Sequence, residues 1–170
     1  MPKTAKRQNP RAKNATRSKA PSVLTLLRAD HEAVTALFDR YENTRSTAQK
    51  DALATKICNE LKVHAQVEEE IFYPELRQAK GTEEVDDMLN EADVEHDGAK
   101  KLIAEIEASS AHDELFDARI KVLSEYIRHH VKEEQSGIFK AARKSSMDLV
   151  DVGARVAARK KELKREMGAQ

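Results

Sequence analysis

The stretch VDDMLNEADVEHDGAKKLIAEI, residues 85–106, decides the fold. Val85, Leu89, Ala92, His96, Ala99, Ile103 and Ile106 follow one another in steps that alternate four and three. Such steps keep residues on one face of an α-helix. His96 therefore stands in the middle of a stripe built to be buried. A seam of this kind needs other helices to cover it, and an imidazole in that seam needs a partner.

The segments on either side repeat the pattern. Gly81 is a natural helix stop, and Thr82 a cap for the next helix, with Glu83 and Glu84 in its favourable first turn. Upstream, Leu53, Ile57, Leu61, His64, Glu68 and Ile71 share a stripe, with Pro74 expected to kink or interrupt the helix near its end. Further upstream, Ser22 caps a helix whose stripe is Leu24, Leu27, His31, Val34, Phe38 and Tyr41, and residues 43–47 are a polar break. Downstream of a connection at residues 109–113, Phe116, Ile120, Leu123, Ile127, His130, Glu134, Ile138 and Ala141 form a fourth stripe. Ser145 or Ser146 then opens a weaker fifth helix on Leu149, Val150, Gly153, Val156 and Ala157, strongly basic from Arg155 to Arg165.

No segment has the two-residue alternation of a strand. The expected fold is all-α: an antiparallel up-and-down four-helix bundle over residues 22–145, with an additional C-terminal helix over residues 146–170. Phe38, Phe72, Phe116 and Phe139 are expected to supply the bulky aromatic packing.

Composition agrees. The 170 residues suit one domain; 35% are charged, only 4% aromatic, and Gly and Pro number 5 and 4. Formal net charge is zero, but its distribution is uneven. Residues 1–20 hold seven Lys or Arg and no acid, leaving 23 basic against 30 acidic residues in the rest. Residues 1–21 read as a disordered basic tail. Pro2, Pro10 and Pro21 argue against a continuous amphipathic helix there. Cys58 is the only cysteine, so an intramolecular disulfide is excluded, and Cys58 itself reads as a small buried apolar residue. No run reaches the roughly 18 apolar residues of a membrane span. A cytoplasmic location and no membrane partner are the expectations.

Six ionisable residues sit on core stripes: His31, His64, Glu68, His96, His130 and Glu134. Residues four apart lie one helical turn apart on one face, so His64 with Glu68, and His130 with Glu134, each aim a nitrogen and a carboxylate at one point. Two carboxylates buried side by side repel, and one of them would keep its proton. Two metal ions remove that conflict, with the glutamates bridging and two histidines completing each ion. Imidazole and carboxylate without thiolate suit iron first, then manganese or zinc. His112, in a connection, and His129, one residue off the stripe, read as solvated, as do Glu69 and Glu133. Tyr126, one turn before His130, reads as ordinary half-buried packing.

At these residues the chain resembles the hemerythrin HHE cation-binding family. The motifs are residues 26–32 around His31, residues 64–74 from His64 to Pro74, Glu95-His96-Asp97, and residues 129–134 continuing to Ile138 and Phe139. The resemblance runs over about residues 22–165. It implies a non-haem di-iron site in a four-helix bundle, with His31, His64, His96 and His130 as terminal ligands and Glu68 and Glu134 as bridges. Two departures from oxygen-carrying members stand out. Lys100 occupies the position of a second third-helix histidine. Glu134 follows His130 at four residues where those proteins have an aspartate at five, and the fifth position here is Gln135. One iron is then short of nitrogen ligands, which argues against reversible oxygen carriage.

Two function classes follow. The first is a di-iron protein that binds oxygen, peroxide or nitric oxide, or senses iron or oxygen in a stress response, with catalase-like peroxide decomposition as its enzymatic version. The second is an interaction module with a structural metal, whose basic tail docks on nucleic acid or an anionic surface.

Overall fold

The computed structural model describes residues 20–168, so the basic tail expected over residues 1–21 lies almost wholly outside it. Helix α1 spans Val23–Asn43, α2 Thr47–Val67, α3 Tyr73–Lys80, α4 Glu83–Glu107, α5 Phe116–Ser136, α6 Ile138–Lys144 and α7 Leu149–Gly168. A π-helical turn, Glu68–Phe72, joins α2 to α3, and α6 follows α5 across Gly137. Four rods and a fifth helix result, with no strand among the described residues.

The ends are set by local chemistry. Ser22, Ser46 and Thr82 each accept a hydrogen bond from the backbone N–H three residues on, satisfying one of the free donors of a helix N-terminus. Gly81 closes α3 in the left-handed region, φ 30°, where glycine pays no Cβ penalty. The fifth helix differs from expectation: its cap is Asp148, whose carboxylate takes the N–H groups of Val150 and Asp151, not Ser145 or Ser146. Its buried stripe is Val152, Gly153, Val156 and Leu163, whereas Ala157 is exposed.

The α-helix is interrupted at Pro74, as expected: α2 ends at Val67, and α3 begins at Tyr73 with Pro74 in its first turn. Proline lacks an N–H and its ring crowds the carbonyl four residues back. The π turn just before it, in which the Tyr73 N–H bonds the Glu68 carbonyl, carries the rod past Pro74. The extra residue shifts the helical phase by one position. Ile71, expected on the stripe, is therefore only partly buried, while Phe72, Tyr73 and Leu76 fill the core.

The apolar core has two halves. One contains Leu24 and Leu27 of α1, Phe72, Tyr73 and Leu76 after Glu68, Val85 and Leu89 of α4, and Phe139 of α6. The other contains Val34 and Phe38, Ile57 and Leu61, Ala99 and Ile103, and Ile120, Leu123 and Ile127. Around the histidines, α1 and α4 run from the first half to the second, and α2 and α5 run back. That alternation is the up-and-down antiparallel bundle. The six polar residues form the layer between the halves.

Helix α7 covers the first half, across α1, α2 and the π turn. It comes so close that a Cβ on Gly153 would lie 2.5 Å from the Pro21 carbonyl oxygen and 2.8 Å from the Val23 nitrogen. Among the described residues no helix is long and apolar enough to cross a membrane.

Candidate metal centre

All six residues expected at the centre are brought together and buried: His31, His64, His96 and His130 from four rods, with Glu68 and Glu134 below 2% exposure. The histidines meet in two pairs through their Nε2 atoms, His31 with His64 at 3.0 Å and His96 with His130 at 3.3 Å. Glu68 lies between the pairs, with Oε1 3.2 Å from His64 Nε2 and Oε2 3.3 Å from His96 Nε2. Glu134 Oε2 stands 3.2 Å from His31 Nε2. The donor atoms fall into two groups, His31, His64, Glu68 and Glu134, and Glu68, His96 and His130, each with all donors within 4.8 Å of one another. Glu68 is the shared member. Glu134 stands in the first group, so the second has one donor fewer.

The outward Nδ1 of three of the four imidazoles is held by a carboxylate. His64 Nδ1 meets Asp30 at 3.3 Å, His96 Nδ1 meets Glu69 at 2.9 Å, and His130 Nδ1 meets Glu95 at 2.7 Å. A carboxylate there keeps the proton on Nδ1 and leaves the Nε2 lone pair pointing inward, the tautomer a metal requires. Asp30 in turn is paired with Lys160 of α7, and Glu69 with Lys100 at 2.7 Å. His31 is the exception. Its Nδ1 faces the amide of Gln135 at 3.0 Å, and Gln135 also accepts from Arg28 at 3.2 Å. Phe139 stacks on His31, and Tyr73 on His96 with its hydroxyl donating to Glu68 at 3.4 Å.

Glu69 is therefore not simply solvated, as its position off the stripe suggested; it orients His96. Glu133, His129 and His112 are exposed, as expected. Tyr126 packs over Gly98, whose Cβ would meet its hydroxyl at 2.6 Å. Cys58 is fully buried, and burial pushes its thiol up to about 12. Sequence reasoning missed Asp30, Glu95, Gln135 and Tyr73. A signal existed for the acids: each is the chain neighbour of a ligand candidate, in Asp30-His31, Glu95-His96 and Glu68-Glu69. One residue is a 100° rotation, which aims the acid at the histidine of an adjacent rod.

The electrostatics expose the conflict that the sequence implied. Burial and the charge of Glu68 push the Glu134 carboxyl well above the usual carboxylate range. Burial opposes ionisation of Glu68 too, but His64 and His96 hold it well below that range. Burial works against a charged His64, yet Glu68 and Asp30 outweigh it and raise this histidine to about 9. His96 is likewise raised to about 9 by Glu68 and Glu69 against burial. His31 is pushed down to about 3 by burial and by the neighbouring His64 charge.

Three buried carboxylate oxygens, Glu68 Oε1 and both of Glu134, accept no hydrogen bond, because the ring nitrogens 3.2 Å from Glu68 Oε1 and Glu134 Oε2 do not meet them in hydrogen-bond geometry. An unpaired buried acceptor is costly, and a buried carboxylate more so. Unpartnered oxygens among four inward Nε2 atoms fit cations. Beside them lies a cavity of about 30 Å³, lined by the four histidines and by Val34, Leu61, Ala99, Ile103 and Ile127. It has room for about one or two water-sized molecules.

Comparison with known proteins identifies the family and the fold. The family model described as "Hemerythrin HHE cation binding domain" matches residues 22–142. The chain belongs to that family. A solved hemerythrin HHE cation binding domain-containing protein from Mycobacterium kansasii shares the fold, with a TM-score of 0.72 at 18% identity over 86% of this chain and 89% of that one. A curated relative from Nostoc sp. (strain PCC 7120), named a DNA nickase, is 26% identical over 151 residues. That match takes in 88% of this chain but only 42% of the relative.

Proposed function

We propose that the buried layer holds two iron ions, with His31, His64 and Glu134 serving one, His96 and His130 the other, and Glu68 within reach of both. The single observation that carries this is the set of unpartnered Glu68 and Glu134 oxygens inside a ring of four Nε2 atoms. The donor set, nitrogen and carboxylate without sulfur, favours iron over manganese or zinc. Iron held there would supply redox chemistry toward a small ligand.

The chain's own residues account for the rest. Asp30, Glu69 and Glu95 hold the imidazoles in the required tautomer. Val34, Leu61, Ile103 and Ile127 give the cavity apolar walls. Its size fits oxygen, nitric oxide or peroxide and nothing much larger. In the metal-free protein, burial and the charge of Glu68 raise the Glu134 carboxyl well above the usual carboxylate range and favour its protonated form. Lys100, paired with Glu69, adds no donor to the second group. The reading is thus peroxide decomposition or small-ligand sensing, in a cytoplasmic setting that cell fractionation checks. The test is metal content of protein from iron-replete cells. About two irons per chain, lost in Glu68→Ala or Glu134→Ala, are expected, with peroxide turnover that falls in step. A folded protein without iron overturns the reading.

A second reading is favoured by one observation, the match along 88% of the chain to a relative named a DNA nickase. Here the bundle is a metal-stabilised module and the basic residues 1–20 engage nucleic acid.

A further inference from the structure

The fourth-rod motif His129-His130-Val131-Lys132-Glu133-Glu134 contains two interleaved His-x-x-x-Glu pairs, one residue apart. His130 and Glu134 face inward. His129 and Glu133 are rotated by about 100° toward α4. There His129 Nε2 lies 3.2 Å from Glu133 and 3.7 Å from Glu95, and the three donor atoms are within 4.8 Å of one another. One nitrogen and two carboxylates at that spacing form a third candidate ligand group, and this one reaches solvent: His129 is 59% and Glu133 45% exposed.

Two further observations tie it to the buried layer. The other oxygen of Glu95 holds His130 Nδ1 at 2.7 Å, so the outer group and a buried ligand share one carboxylate. A second cavity of about 30 Å³ lies behind the outer group. Glu91, Glu95 and Glu133 line it, with His130 and Glu134 at its buried side. Both Glu134 oxygens, 1% exposed as a residue, lack hydrogen-bond partners. Glu95 and Glu133 of the open group thus share one small cavity with Glu134, the buried carboxylate that lacks a hydrogen bond.

We propose that Glu95, His129 and Glu133 form an outer divalent-cation site that captures ions and passes them along this cleft to Glu134 and the buried centre. This rests on the buried layer being a metal centre, but the outer site itself does not need the inner one to be filled. The outer site binds weakly, having three donors and open coordination positions, and that suits a station that must release its ion inward.

The test uses the full chain and two probes. Manganese(II) added to isotope-labelled protein already loaded with zinc(II), so that the buried layer is filled, is expected to broaden amide signals selectively around residues 91–95 and 129–133, and His129→Ala or Glu133→Gln to abolish that broadening. Uptake of cobalt(II) by metal-free protein, followed by its absorbance, is expected to reach the same final stoichiometry in both variants as in the parent but about tenfold more slowly. His112→Ala, which alters an exposed histidine elsewhere, is expected to load at the parental rate. No localised broadening in the parent overturns the outer site. Localised broadening with unchanged loading rates overturns its role as a station. A parent that shows broadening yet takes up no cobalt overturns the buried centre and leaves the outer site standing.

Discussion

Glu69 marks the residue scale, because its carboxylate is shared between His96 and Lys100. Removing it frees the His96 ring to choose its tautomer and leaves Lys100 without that partner. Partners of this kind are typically worth ten- to a hundredfold in metal affinity. Glu69→Ala is accordingly expected to weaken the buried site by about tenfold or more, read by competition with a chromophoric chelator, while the circular dichroism spectrum stays unchanged. The raised His64, His96 and Glu134 give a second prediction. In the metal-free protein at neutral pH the two histidines, raised to about 9, hold protons that a cation must displace, and the upward shift of Glu134 acts in the same direction. Loading should therefore release protons, and affinity should rise from pH 6 toward 9. Calorimetry in two buffers of different ionisation enthalpy counts the protons; equal heats in both would contradict the assigned charges. The linkage sign for stability is the reverse. A histidine raised from 6.5 to about 9 stabilises the metal-free fold fully below pH 6.5 and loses that contribution as pH climbs through 9. Melting of the metal-free protein should fall across this window, and melting of the loaded protein should not.

Among elements, the π turn and α7 carry what periodicity alone does not. The stripes of α1, α4 and α5 are legible residue by residue, because an unbroken α-helix keeps its phase, and every expected core position on them is buried. Helix two was legible as far as Glu68. Beyond it the π turn adds a residue, and the phase rule fails by one position, so Ile71 was misplaced and Tyr73 overlooked. The centre was readable for the same reason as the stripes: ligand candidates are core-phase residues. Their supporting acids were not, since a side chain rotated off the stripe looks solvated until its neighbouring rod is known. The π turn has a testable consequence. It sets Tyr73 five residues after Glu68 yet beneath it, hydroxyl to carboxylate. Tyr73→Phe should leave the fold intact and alter the visible spectrum of the iron-loaded protein, since it removes one donor from the shared carboxylate. For α7 the sensitive point is Gly153, where backbone of α1 occupies the space of a Cβ. Gly153→Ala must push α7 off the first half of the core, and overpacking of this sort costs about 1–3 kcal/mol. A drop in Tm of several degrees is expected, larger than for alanine at the exposed Lys161.

For the whole molecule, the decisive quantity is where the positive charge is free. The formal net charge is zero, yet the basic residues fall into two populations. Those of α7 are largely committed to the bundle: Arg155 pairs with Glu75 at 2.5 Å, Arg159 with Glu70 at 2.7 Å, Lys164 with Glu60 at 2.8 Å, and Lys160 with Asp30. The last helix thus clamps the acidic faces of α1, α2 and α3, and its charge is not spare for a polyanion. The seven Lys and Arg of residues 1–20 have no acid beside them in sequence, and the remaining 150 residues carry seven more acids than bases. An acidic body repels a phosphate backbone, so any affinity for nucleic acid should reside in the first 20 residues. Each phosphate contact contributes about 0.9 to the slope of log affinity against log salt. Deleting residues 1–20 should therefore remove retention of duplex DNA in a gel, with the salt slope shrinking by up to about six. The metal content of the bundle should stay the same. Supercoiled plasmid supplies the companion assay, since the Nostoc relative is named a nickase. Conversion to open circles by the parent, lost with the tail, would make the tail its docking arm. Retention that persists without the tail would move the contact onto the folded body, against its net charge.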